Sequence, residues 1–181
     1  MKKIVALTAA GLLLGTAAYA SSVHLKPPSS SPTFVDQGLT LAVAGNLAGL
    51  GGGDVVITLT AEADVTATCT NPSGGTQPPG QNPAPISVTG VEPIPEGEIK
   101  NGNLSFTVGT TGPVTPIPGA PDCPNRKWTE AIQDLAFTSA TIEVEQPAGT
   151  VVLTVVCTFA LPTEDGSVPT GDVTCTSDGA V

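Results

Sequence analysis

The chain has 181 residues, and its 16 acidic and 6 basic residues give a formal net charge of −10 at pH 7. A surface this acidic repels nucleic acid and anionic lipid, so we expect neither as a partner. Only 12% of the residues are charged, whereas 21 are glycines and 18 are prolines. This composition argues against a charge-driven disordered chain and favours strands joined by turns.

The N-terminus has the pattern of a cleavable export signal. Lys2-Lys3 is a basic start, residues 4–18 are apolar, and Ala18-Tyr19-Ala20 fits a small-x-small cleavage site. The apolar run is too short for a stable transmembrane helix. We expect a signal peptide over residues 1–20 and a mature protein that begins at Ser21, has no membrane span and is extracellular or periplasmic. Cleavage leaves 4 basic and 16 acidic residues, a formal charge of −12.

The start of the expected mature chain is rich in Pro and Ser and contains the single histidine, His24. Residues 21–32 are therefore predicted to be an extended, poorly ordered tail. Apolar residues then alternate along 33–44, which predicts one strand. A Gly-rich connection at 45–53 is expected to follow it.

Period-two patterns of apolar residues predict further strands along the chain. These strands lie at 55–59, 65–70, 86–94, 103–108, 128–132, 137–145 and 151–160, with a short last strand around Val173. Asn101-Gly102 predicts a primed turn. Pro-rich loops are expected at 71–85 and 111–124.

The most apolar segment after the leader is 151–160, and we predict that it forms a hairpin with 137–145. Its inward face is predicted to hold Val151, Leu153, Val155, Cys157 and Phe159. The inward face of the first arm is predicted to hold Ala140, Ile142 and Val144. The opposite face of the second arm is mixed, which places this strand near the middle of a sheet. Gln146-Pro147-Ala148-Gly149 is expected to form the turn.

No segment shows a sustained helical period. Eight or nine short strands separated by Gly/Pro turns predict an all-β fold, an antiparallel β-sandwich in a single domain over 33–181. Immunoglobulin-like and jelly-roll topologies both stay open. The Cys–Trp–Cys spacing of immunoglobulin domains is not matched, because Trp128 closely follows Cys123.

The four cysteines all lie in the part of the chain that we expect to be exported. An even number of cysteines outside the cytosol indicates two disulfides with three possible pairings. We favour Cys69–Cys123 and Cys157–Cys175, the second pair joining the central strand to the last one. No CxxC spacing is present, so neither a zinc site nor a redox motif is expected.

Catalytic chemistry finds little support in the sequence. His24 is alone and lies in the predicted tail, where a general base would not be held within hydrogen-bond reach of a nucleophile. Gly51-Gly52-Gly53-Asp54 lacks the Lys-Ser/Thr of a P-loop and leads into a strand. We therefore predict no catalytic residues, no cofactor and no enzymatic activity.

Three groups of acids could bind Ca²⁺ or serve as paired carboxylates. These groups are Glu92, Glu96 and Glu98; Glu143 and Glu145; and Glu164 and Asp165. Glu164 and Asp165 are the Ca²⁺ candidates. They are weak ones, because the sequence has neither EF-hand spacing nor a Ca²⁺-binding repeat.

Arg126-Lys127-Trp128 is the one locally basic, aromatic stretch and forms a candidate interaction patch. The size of a Trp side chain favours a core position for Trp128, with a role in binding as the alternative. The expected mature chain has a single Trp and no Tyr, which argues against a glycan-binding platform.

These features together predict a secreted, non-catalytic β-sandwich that acts as an extracellular or cell-envelope structural or interaction module. Its partner would be a protein or an envelope component, and self-association stays open. The alternatives are a Ca²⁺- or glycan-binding module, or a filament or adhesin subunit that donates the tail and 33–44 as a strand. A glycosidase-like hydrolase is the most distant alternative.

Overall fold

The computed structural model describes residues 23–26, 31–79, 83–117 and 120–179. The strands are β1 His24–Leu25, β2 Thr33–Asp36, β3 Leu41–Ala48, β4 Val55–Thr70, β5 Thr76–Gln77, β6 Ile86–Ile94, β7 Leu104–Gly109, β8 Thr129–Glu145, β9 Val151–Phe159, β10 Gly166–Ser167 and β11 Val173–Gly179. Two 3₁₀ turns, Glu96–Glu98 and Thr170–Asp172, complete the regular structure of the described residues. No described helix is long and apolar enough to cross a membrane.

The strands form two antiparallel sheets. In the first sheet, β3 lies at the centre with β7 along one edge, β1 and β2 along the other, and β10 beyond β2. The second sheet has the order β11-β9-β8-β4, and both β5 and β6 pair with the far edge of β4. This arrangement confirms the predicted all-β, sandwich-like fold. Among the eleven strands of the described residues, three have only two residues, and the remaining eight agree with the predicted number.

The core consists of the alternating residues that face inward from the two sheets. Phe34, on β2, and Phe159, on β9, meet edge to face with ring centroids 5.2 Å apart. Leu59 and Leu153 are also fully buried, on β4 and β9. These side chains hold the sheets together because burying each one removes a large apolar area from water, worth about 2 kcal/mol per residue.

The predicted central hairpin is confirmed. Inward residues of β8 and β9 are buried, namely Ala140, Ile142, Val144, Leu153, Val155, Cys157 and Phe159. β9 is an interior strand between β8 and β11. Val151 differs from its prediction and is 43% exposed, because a register irregularity at Val144/Glu145 lies beside the start of β9. Gly149 has φ of 89° and takes the left-handed position of the turn.

Two pairs of predicted strands are single long strands. The strands predicted at 55–59 and 65–70 are parts of one strand, β4, which has 16 residues. The strands predicted at 128–132 and 137–145 are likewise one strand, β8, which has 17 residues. The pairing of β4 with β8 continues across irregularities at Glu62/Ala63 and Thr66/Ala67. These irregularities break the period of two locally without ending the strands, which explains the gap in the sequence pattern.

The predicted strand at 33–44 is a hairpin instead. A turn after Asp36 separates β2 from β3, and within it Gly38 has φ of 79°. Leu39 lies half-buried in this turn, so it is not a strand residue. β3 then continues to Ala48, inside the predicted Gly-rich connection. A Cβ at Gly45 would lie 2.8 Å from the ring of Phe106, so the glycine allows the aromatic ring to pack against the strand.

Part of the predicted disordered tail is a strand. Val23 is 4% and Leu25 is 8% exposed, and β1 pairs antiparallel with the end of β3. The backbone N–H of Lys26 extends this pairing with a 2.8 Å hydrogen bond to the carbonyl oxygen of Asn46. The alternation of apolar Val23 and Leu25 is short but sufficient, because β3 offers a preformed edge. The predicted signal peptide and its cleavage site lie outside the described residues.

The predicted primed turn is confirmed at Asn101-Gly102, where φ is 53° and 71°. Lys100 and Asn103 flank this turn and exchange two backbone hydrogen bonds of 2.9 and 3.0 Å. The turn precedes β7, as the sequence predicted.

Candidate functional site

Both disulfides have the predicted pairing and no described cysteine is free. The Cys157–Cys175 bond joins directly opposed residues of β9 and β11. The Cys69–Cys123 bond joins the end of β4 to the loop that precedes β8. This second bond fixes a long irregular segment against the sheet.

The weak Ca²⁺ candidates Glu164 and Asp165 line a groove of about 370 Å³ formed by the segment that connects β9 to β11. Both side chains are exposed. The groove also contains Asp172 and four apolar residues, namely Leu161, Pro162, Val168 and Pro169. It therefore combines an acidic rim with apolar walls.

A buried carboxyl group lies next to this groove. Asp36, on β2, is only 3% exposed and accepts a 2.9 Å hydrogen bond from the backbone N–H of Gly38. Burial raises the pKa of Asp36 above 3.8, two hydrogen bonds to its oxygens oppose the rise, and the carboxylates of Asp134 and Asp165 add to it. These three aspartates form what we name the Asp36 cluster.

Thr163 connects the Asp36 cluster to both sheets. Its hydroxyl group donates to Asp36 and accepts from the backbone N–H of Phe137 at 2.9 Å. Its own N–H donates to the carbonyl oxygen of Phe137 at 3.0 Å. The loop after β9 is thus anchored to β2 and β8 together. In the described part of the chain, no group of three or more His, Cys, Asp or Glu side chains is arranged to hold a metal ion.

The predicted interaction patch lies in the loop before β8. Arg126 and Lys127 are exposed, and Trp128 is half-buried. Asn125 shapes the segment, because its side-chain and backbone oxygens accept hydrogen bonds of 3.0 Å from the N–H groups of Lys127 and Trp128. The favoured core position for Trp128 is wrong, because its side chain is only half-buried and does not belong to the hydrophobic core cluster.

Glu130 was not predicted to be a site residue. It is fully buried on β8, opposite Cys69 of β4. Its Oε2 accepts a 3.2 Å hydrogen bond from the backbone N–H of Asp122. Its Oε1 is buried and has no hydrogen-bond partner among the described residues. The available sequence signal was its position in phase with Trp128 and Ile132, which places a carboxylate on a face with apolar neighbours.

The remaining acids stay apart. Glu92 lies on β6, with Glu96 and Glu98 in the 3₁₀ turn that follows it. Glu143 and Glu145 lie on β8, and β4 separates β8 from β6. The carboxylate of Glu145 accepts a hydrogen bond from the N–H of Gly149 and so stabilises the hairpin turn. His24 is exposed on the edge strand β1.

Comparison with known proteins gives no family for this chain. No protein-family model matches it, no curated protein matches it significantly, and no solved structure matches it significantly.

Proposed function

We propose that the chain is an exported, non-catalytic β-sandwich that serves as a structural or interaction module outside the cytoplasm. The observation that carries this proposal is the fixed presentation of the patch Arg126-Lys127-Trp128. Cys123, three residues before the patch, is bonded to β4, and β8 begins directly after it. The patch is held at both ends and keeps its shape when a partner binds, which lowers the entropic cost of binding.

The chemistry of the patch suits an anionic partner surface. It contains two of the four basic residues of the expected mature chain and its single Trp. Arg and Trp are the residue types that most often dominate binding energy, because they combine a large contact area with charge or a polar edge. The surrounding protein is acidic, so the patch directs an anionic partner to this end of the sandwich.

The export of the protein is supported by its disulfides. Both bonds would be reduced by the thiol pools of a cytosol, and they persist in oxidising compartments. A rigid scaffold with disulfides at its last strand and its longest loop suits an environment that lacks chaperones and contains proteases.

Partition between the cell envelope and the medium tests the proposal. We expect the double variant Arg126→Ala/Lys127→Ala to be retained in the envelope fraction at least about fivefold less than the wild type, since one lost contact is worth 1 kcal/mol or more. The matched control Lys26→Ala/Lys100→Ala removes the same charge elsewhere and should be retained normally. Equal release of both variants, with unchanged melting temperatures, would show that the patch binds no envelope component.

A further inference from the structure

One long edge of the second sheet is open in the described structure. β11 is the outermost strand, and it pairs with β9 along all seven of its residues without a register irregularity. No described strand pairs with its other side. β11 contains no Pro, no Lys and no bulge, which are the features that usually prevent an edge strand from pairing with another chain. Its edge is therefore available for strand addition.

The register shows which backbone groups of β11 point away from β9. Just before the strand, the N–H of Ala160 donates a 2.8 Å hydrogen bond to the carbonyl oxygen of Asp172, which opposes it when the register is continued. Hydrogen-bonded and non-hydrogen-bonded pairs alternate along antiparallel strands. Cys157 and Cys175 are then a non-hydrogen-bonded pair, in agreement with their short Cα–Cα distance of 4.1 Å. The N–H and C=O groups of Cys175 and Ser177 consequently point outward, where no hydrogen bond from another described segment reaches them.

The opposite edge of the same sheet is closed. In β6, the carbonyl oxygen of Thr89 accepts hydrogen bonds from the N–H of Thr111 at 3.0 Å and from its hydroxyl group at 2.8 Å. The strand β7 lies so close that a Cβ at Gly90 would be 1.8 Å from the carbonyl oxygen of Gly109, and Pro93 removes one backbone donor from β6. In the described part of the chain, the long unprotected edge is therefore that of β11.

We infer that β11 pairs antiparallel with β11 of a second copy of this chain, so that two sandwiches share one continuous sheet. The two-fold axis passes beside Thr176, which faces Thr176 of the second copy. Cys175 then exchanges both of its outward backbone hydrogen bonds with Ser177 of the second copy, and Ser177 does the same with Cys175. The same strand supplies both complementary sides, as a two-fold dimer requires.

Two features favour this register over its neighbours. Thr176 is the midpoint of β11, so a dimer centred there pairs all seven residues of each strand. Asp178 then lies opposite Thr174 of the second copy, whose hydroxyl group can donate to the carboxylate. A register centred on Cys175 would place Asp178 opposite Asp172 and bring like charges together. The inference does not rest on the proposed function, because the patch Arg126-Lys127-Trp128 lies on a different segment.

Sedimentation of the intact purified protein, from micromolar to near-millimolar concentrations, tests for the dimer. A single pair of strands buries a small interface, so we expect a dissociation constant of about 10 to 100 μM. Raising the NaCl concentration should strengthen the dimer. Backbone pairing is uncharged, whereas each copy carries a formal charge of −10, and salt screens the repulsion between them.

A charge at the two-fold axis should break the dimer. Thr176→Lys places two ammonium groups opposite each other, and we expect the dissociation constant to rise at least about tenfold. Thr89→Lys is the matched control, because Thr89 is also exposed and lies on β6 at the closed edge of the same sheet. It adds the same charge and should leave the dimer unchanged. Melting temperatures show that both variants are folded.

A cysteine at the same position tests the register. Opposed residues of a non-hydrogen-bonded pair have Cα atoms about 4.5 Å apart, which a disulfide can span. Under mild oxidation Thr176→Cys should give a covalent dimer on non-reducing gels, and Thr89→Cys should stay monomeric on the gel.

The inference is wrong if the wild type stays monomeric over the whole concentration range, or if Thr176→Lys and Thr89→Lys dimerise alike. Absence of the covalent dimer of Thr176→Cys would also contradict it. A dimer that NaCl weakens, or that Arg126→Ala/Lys127→Ala abolishes, would show that the basic patch and not β11 forms the contact. Retention in the cell envelope is measured separately, so failure of the proposed function and failure of this inference are distinguishable.

Discussion

Neighbouring residues of β9 lie in opposite environments. Val155 is fully buried between the sheets, whereas the next residue, Val156, is 44% exposed on the outer face. Because side chains alternate along a strand, one step in sequence moves a side chain from the core to solvent. The two valines therefore form a matched pair for testing the register.

Val155→Asp should abolish secretion of folded protein. An isolated carboxylate in an apolar core costs several kcal/mol, which is comparable to the whole stability of a domain. Val156→Asp is the control and should change the free energy of unfolding by less than about 1 kcal/mol. Yield in the medium and thermal melts measure both effects, and a normal yield of Val155→Asp would show that the register is wrong.

Asp36 makes stability depend on pH in the direction opposite to that of a salt-bridged acid. Burial raises its pKa above 3.8, and Asp134 and Asp165 raise it further. The folded state then holds the proton more tightly than the unfolded state does. The resulting stabilisation is fully present below pH 3.8 and is lost as the pH rises through the pKa of the folded state.

We therefore expect Asp36→Asn to change the pH profile of stability. Relative to this variant, the wild type should lose free energy of unfolding as the pH is raised from 3.5 to 7, because only the wild type must ionise a buried group. Denaturant unfolding at several pH values measures the difference. A difference that is constant with pH, or that grows in favour of the wild type, would show that Asp36 ionises as freely in the folded protein as in the unfolded one.

At the scale of elements, β1 shows how little sequence is needed to complete a sheet edge. Its two residues pair with Leu47 and Ala48 of β3, beyond the stretch of β3 that pairs with β2. The predicted tail thus contributes buried side chains at both Val23 and Leu25.

Leu25→Ser should lower the free energy of unfolding by about 1.5 to 3 kcal/mol, because a buried Leu loses its transfer energy. Lys26→Ser is the control, since its side chain is exposed and its backbone N–H is retained. Chemical denaturation of the purified variants compares their stabilities. Equal stability of both variants would show that Leu25 is not buried and that the segment is the poorly ordered tail predicted from composition.

At the scale of the whole molecule, the two disulfides divide the chain into loops of unequal length. They close 18 and 54 residues. Closing a longer loop removes more conformational freedom from the unfolded chain. The expected stabilisation is about 3 kcal/mol for the shorter loop and about 4 kcal/mol for the longer one.

Removing either bond as a Cys→Ala pair should therefore destabilise the protein, with Cys69→Ala/Cys123→Ala costing about 1 kcal/mol more than Cys157→Ala/Cys175→Ala. Urea unfolding measures both, and the opposite order would mean that native contacts around β11 outweigh loop entropy. Thiol titration and mass determination of the unreduced wild type should find no free thiol and a chain that begins at Ser21. Two or four reactive thiols would contradict the pairing.

The features that the sequence alone determined are local. Alternation of apolar residues placed β6, β7 and the β8–β9 hairpin, because a strand repeats its environment every two residues. Asn101-Gly102 identified its turn through the backbone angles that these two residues tolerate. The even number of cysteines in a chain predicted to be exported indicated two bonds, and the tie between the central and last strands suggested the correct pairing.

The tertiary structure decided what depends on distant neighbours. Asp36 and Thr163 are 127 residues apart, and Glu130 is buried by a loop that a disulfide holds in place. No local pattern reports whether a carboxylate will be covered, since covering it depends on segments far along the chain. The same reason applies to β1, which is a strand because the edge of β3 is there to pair with it.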